Sequence, residues 1–136
     1  MRRGEAPAAG GPAPEPGDAA RRGVALYNAG RFWEAHEALE TVWRRSAPPE
    51  RALWQGLIQA AAAMLHRERG NRHGVLAQGR AAVEKLRAGA PPGFPVETAR
   101  FARELARCVE EGGPVPPMAF APAPPTGRTG PRIKDT

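Results

Sequence analysis

Apolar residues recur three and four positions apart through most of the chain, and the pattern breaks wherever Gly and Pro cluster. The first periodic stretch opens near Asp18, a residue suited to an N-cap, carries Val24 and Tyr27 with Leu26 nearby, and closes at Asn28-Ala29-Gly30. A second runs from about Arg31 to Arg45. At 100° per residue Phe32, His36, Leu39 and Trp43 share one face, flanked by Ala35 and Val42. Ser46-Ala47-Pro48-Pro49 interrupts it, with Pro49 placed for the first turn of the next helix. The third stretch, about Glu50 to Arg69, sets Trp54, Leu57, Ile58, Ala61 and Leu65 on a broad face. The alanines at 60–63 leave its middle with almost no polar side, so this helix should be buried on most sides. A fourth, about Arg72 to Ala88, offers Val75, Leu76, Val83 and Leu86. A fifth, about Val96 to Glu110, offers Phe101, Leu105 and Val109. The pattern predicts an all-α fold: a compact multihelical bundle of about five helices around a buried central helix. The short connections make sequential helices antiparallel neighbours.

The 136 residues contain Pro 16 and Gly 16, too many for one small helical domain, and they concentrate at the two ends. The chain thus divides into a disordered tail over 1–17, a helical domain over 18–111, and a disordered Pro-rich tail over 112–136. In the last, Met118 and Phe120 are the residues able to clip onto the domain, and Pro-Val-Pro-Pro offers a polyproline II surface.

Lys+Arg 20 against Asp+Glu 14 gives a basic chain, but Lys85 and Lys134 are its only lysines. Abundant Arg, Ala, Gly and Pro with little Lys reads as coding bias rather than a nucleic-acid footprint. Specific nucleic-acid binding is therefore not expected, and any residual binding should be weak and salt-sensitive. No apolar run approaches the ~20 residues of a membrane span, and no secretory leader follows Arg2-Arg3. Cys108 is the only cysteine, so no internal disulfide forms, which fits a cytoplasmic location.

The candidate chemistry sits on helices two and three. Glu40 lies one turn after His36, close enough at i,i+4 for imidazole and carboxylate to meet, and Glu37 flanks them. Gln55, Gln59 and His66 fall on a narrow second face of the central helix. An antiparallel hairpin brings the two sets together, as a polar network fixing helix register or as a divalent-metal site from His36, Glu40 and His66. The strong metal signatures are missing. His36-Glu37-Ala38-Leu39-Glu40 places Glu where a zinc protease has its second His, and neither His36 nor His66 has Glu three residues before it. Cys108 has no His near it in sequence and reads as an idle or buried thiol. The cluster Arg67, Arg69, Arg72 and His73 reads as a solvated helix end. Trp43 and Trp54 read as core, whereas Trp33 at the edge of its face, with Glu34, is the candidate exposed contact.

The run YNAGRFWEAHEALETVWR followed by LWQGLIQAAAAMLHRERGN resembles the DUF309 family of small bacterial and archaeal proteins, over about residues 23–87. Its first motif is matched by Phe32 or Trp33 with Glu34, His36, Glu37, Glu40 and Trp43. Its second is matched by Gln55, Gly56, Leu57, Ile58, Gln59 and His66, with Gly70-Asn71 next along the chain. The resemblance implies a compact all-α fold around the Glu50–Arg69 helix and implies no activity. The expected role is a small cytoplasmic, non-catalytic binding or scaffold domain whose partner is a protein or small molecule, with no membrane partner and no cofactor. The rival is a metal-dependent hydrolase or other metal- or ligand-binding protein using His36, Glu37, Glu40 and His66. These residues define no oligomeric state.

Overall fold

The computed structural model describes residues 16–122; of the expected disordered tail over 1–17, residues 1–15 lie outside them while Pro16 and Gly17 open a helix, and the end over 123–136 also lies outside. Five helices succeed one another: α1 (Pro16–Asn28), α2 (Phe32–Arg45), α3 (Glu50–Glu68), α4 (Arg72–Leu86) and α5 (Ala99–Glu111). Each packs on the next in sequence, with α3 between α2 and α4. α1 begins two residues before Asp18, so that carboxylate sits in the first turn and pairs with Arg21 instead of capping.

Two of the turns are built alike. Gly30 and Gly70 both take left-handed φ, +82° and +70°. In each turn the amide after the glycine reaches back five residues: Arg31 N–H donates to Leu26 O, and Asn71 N–H to His66 O, both at 2.9 Å. This is the Schellman closure that a C′ glycine permits without a Cβ penalty. Asn71 adds a cap, its Oδ1 accepting from Gly74 N at 3.0 Å. The chain therefore reverses within three residues at both places, which produces antiparallel hairpins.

The core is centred on α3. Ala60, Ala61 and Ala63 are fully buried on different sides, and Leu57 and Met64 complete the face. Small residues let neighbours approach: a Cβ on Gly56 would lie 2.9 Å from Leu86 Cγ of α4. Tyr27 of α1 packs edge-on against Phe32 and Phe101, with ring centroids at 5.3 and 5.9 Å, which joins α1 to α5. Trp54 packs at a tilt against Phe94 from the α4–α5 connection, with centroids 4.8 Å apart. Burying each large apolar side chain of this kind contributes about 1.5–3 kcal/mol.

The segment after α5 departs from the expected disorder over 112–122. Met118 is buried, and its backbone N–H and C=O are both held by the Asn28 amide: Met118 N donates to Asn28 Oδ1, and Asn28 Nδ2 donates to Met118 O, each at 2.9 Å. The buried Tyr27 hydroxyl donates to Pro116 O at 2.9 Å. A single antiparallel bridge then joins Phe120 to Val96, the only extended pairing among the described residues. Prolines remove donors from this segment, but they leave carbonyls, and Tyr27 uses one of them. The strap ties the two ends of the bundle, α1 and the entry to α5.

Candidate functional site

α2 exposes a ridge and buries its opposite side. Phe32, Ala35, Leu39 and Val42 face the core. The positions turned away from it include Trp33, Glu37, Glu40 and Arg44, spaced four, three and four apart. Trp33 is 54% exposed, the most open large apolar side chain among the described residues. Its indole lies flat against the His36 imidazole, with centroids 5.7 Å apart and planes 11° from parallel. That stack covers part of the indole, and about half of the side chain stays open to solvent.

The carboxylates along α2 are held differently. Glu34 is bound through both oxygens by Arg31, and this hydrogen bond holds its carboxyl below the usual carboxylate range. Glu40 accepts from Arg44 at 3.3 Å. Glu37 is exposed and has no ion-pair partner among the described residues.

The expected meeting of His36 with Glu40 does not occur. Arg44 stands at i+4 from Glu40, and a guanidinium competes better for a partly exposed carboxylate than an imidazole already stacked on Trp33. His36 Nδ1 is buried without a hydrogen-bond partner, and so is Gln59 Oε1. His36 lies ten positions before Ser46 and Gln59 ten after Pro49, so the hairpin sets the two residues at one level. One is a potential donor and the other an acceptor. Gln55 is half-buried on the same helix.

His66 belongs to the α3–α4 turn instead. Asn71 Oδ1 is committed to Gly74 N, so its Nδ2 is the donor to His66 Nδ1 at 3.1 Å, and that nitrogen must accept. Gly74 makes room for the ring: a Cβ there would sit 2.4 Å from His66 Cγ. The imidazole, the cap and the glycine form one turn device. No three His, Cys, Asp or Glu side chains gather as a metal-holding group among the described residues. His36, Glu40 and His66 are thus drawn to three separate sets of neighbours.

The remaining groups largely serve the frame. Trp54 is buried, and half-buried Trp43 carries the Arg51 guanidinium over its ring at 4.1 Å. Arg67 reaches the buried Cys108 Sγ at 3.0 Å, and Arg72 donates to Val109 O at 2.9 Å and to Glu110 O at 3.3 Å, tying the end of α5 to the α3–α4 turn. Arg80 clamps the Glu110 carboxylate, holding it below its ordinary range. Of the Arg100, Arg103 and Arg107 stripe, Arg100 pairs with Glu104. A cleft of about 550 Å³ lies between α5 and the strap, lined by Glu104, Arg107, Cys108, Glu111 and residues 112–117. A smaller one of about 180 Å³ adjoins it at Arg67 and Arg72. None of His36, Glu37, Glu40, Gln55, Gln59 or His66 lines either. The residues that the sequence pattern misses are Asn28 and Tyr27 as anchors of the strap. The available signal is Met118 and Phe120, two bulky apolar residues in an otherwise proline-rich segment.

These features define a small all-α domain with a solid core and one exposed aromatic on an acidic helix; no helix among the described residues is long and apolar enough to cross a membrane. Residues 20–78, from α1 into α4, match the family model described as "Domain of unknown function (DUF309)". Neither the curated proteins nor the solved structures contain a match to this chain.

Proposed function

We propose that this chain is a cytoplasmic, non-catalytic binding domain that engages a protein partner through the outer ridge of α2. The observation that carries the reading is Trp33, 54% exposed yet held in one orientation by the His36 stack. A rigid, half-covered indole loses little conformational freedom on binding, which is why such side chains serve as interface anchors. Behind it, His36 Nδ1 and Gln59 Oε1 lie buried at one level of the α2–α3 hairpin without a hydrogen-bond partner. The metal-dependent alternative draws no support from Glu40, engaged by Arg44, or from His66, engaged by Asn71.

A photo-crosslinking amino acid placed at position 33 of the full chain in its native cells tests the reading. A control carries it at Arg103, exposed on α5. A discrete, reproducible protein adduct from position 33 and not from 103 is expected. Identical adduct patterns from both positions, or none from 33, would refute the assignment.

A further inference from the structure

We infer that the α2 ridge recognises an arginine-bearing segment of a partner protein, which rests on the reading of α2 as the binding face and adds the partner's chemistry. Three observations lead there. Between Phe32 and Trp43 the helix has Glu34, Glu37 and Glu40 and no Lys or Arg, in a chain whose net charge is +6. On the ridge Glu40 is paired with Arg44, so Glu37 is its uncompensated charge, opposite in sign to the chain's, and at physiological salt fields are felt only over about 8 Å, so a bound segment senses that carboxylate more than the whole. Glu37 comes one helical turn after Trp33 on the same ridge, so a carboxylate without an ion pair stands at the spacing at which helical side chains are neighbours. The same helix also shows what its indoles accept. Trp43 is covered by the guanidinium of Arg51, 4.1 Å from the ring centroid, whereas Trp33 has no such cover among the described residues.

A guanidinium suits this pair better than an ammonium. It is planar, it stacks on an indole, and its edge presents two parallel N–H donors to a carboxylate. Laid on the exposed part of Trp33, it can turn that edge toward Glu37, one helical turn on. The cations already near the ridge are accounted for: Arg31 is held by Glu34, Arg44 by Glu40, and Arg22 adds its field to Glu34. Glu37 is the carboxylate left for a partner.

The test is an NMR titration of the full chain, tracking the Trp33 indole N–H assigned with Trp33→Phe. The probes are an octapeptide alternating Gly and Arg, its Gly-Lys counterpart, and its Gly-Glu counterpart. Saturable shifts at Trp33 and the Glu37 amide are expected with the arginine peptide, weaker ones with lysine and none with glutamate. Glu37→Arg and Trp33→Ala, both at exposed positions, should each weaken the arginine peptide about tenfold, since both contacts are lost or opposed. Unchanged thermal melts show that the variants are folded. Equal binding of the glutamate peptide, or unaltered affinity in both variants, overturns the inference. If removing residues 123–136, which carry Arg128, Arg132 and Lys134, tightens arginine-peptide binding through Trp33, the chain's own end is the occupant and the separate partner is refuted. A crosslink from position 33 without arginine-peptide binding would leave the binding face standing and remove only its proposed chemistry.

Discussion

Gly79 offers a direct measure of how tightly α4 meets α5. It lies inside α4, where alanine is ordinarily preferred by about 1 kcal/mol. A Cβ built there would lie 2.4 Å from Val109 Cγ2, 3.0 Å from Cγ1 and 3.2 Å from Cβ. Because both methyls and the branch carbon are close, rotating the valine replaces one clash with another. Val109 is buried, with no outward space to take. Relief requires the helices to part, and such overpacking costs about 1–3 kcal/mol. The penalty should exceed the propensity gain, so Gly79→Ala destabilises by about 1 kcal/mol. Val109→Ala alone costs about 2 kcal/mol for two buried methyl groups and the space they leave. In that background the clashing methyls are gone and the residue-109 Cβ remains at 3.2 Å, a contact relieved by a shift of a few tenths of an ångström, so Gly79→Ala should stabilise by up to about 1 kcal/mol. The effect changes sign, a coupling of up to roughly 2 kcal/mol, which lies in the range expected for side chains in direct contact. Denaturant unfolding of the four proteins, monitored by far-UV circular dichroism with unchanged slopes, measures it. A Gly79→Ala effect of the same sign and size in both backgrounds would refute the account of the α4–α5 contact.

Tyr27 is the chain's only tyrosine, so tyrosinate absorbance reports it alone. Burial chiefly, with Cys108 adding and Arg67 opposing, raises its phenol above the ordinary value of 10.0. The unfolded chain therefore loses this proton first. The contribution to stability is complete below pH ~10 and declines above it by about 1.4 kcal/mol per pH unit. Tyrosinate should appear only as the helical signal is lost, and Tyr27→Phe should remove this part of the alkaline slope; a phenol that ionises near pH 10 in the folded protein would contradict this. Asn28→Ala should release the strap at Met118, lowering stability by roughly 1–3 kcal/mol through two lost hydrogen bonds. Hydrogen exchange at the Met118 amide should quicken more than at core amides of α3, and uniform acceleration would show that the strap and bundle open as one unit.

The bundle is legible in the sequence because its determinants are local. Periodicity marks each helix, Gly30 and Gly70 punctuate it, and the alanines at 60–63 identify the helix that must be surrounded. The strap is less legible because its anchors are distant: Asn28 and Met118 are 90 positions apart, and nothing about an Asn at a helix end announces a peptide partner. The polar residues show a different limit. Helical spacing states which side chains are able to meet, not which will. Glu40 has neighbours at i−4 and i+4, and the Arg44 guanidinium holds it, leaving His36 to stack on Trp33. His66 has Asn71 within its own turn and turns to it in preference to a residue on another helix. Local partners cost less ordering entropy than remote ones, so a network drawn across two helices from spacing alone is dismantled wherever a nearer partner exists. What survives is the part with no nearer partner. His36 Nδ1 and Gln59 Oε1 remain at one level of the hairpin, and on the solvent side Trp33 carries no cation over its ring and Glu37 no ion pair among the described residues. On this reading α2 keeps a buried imidazole nitrogen without a partner on its inner side and leaves its outer side open to another protein.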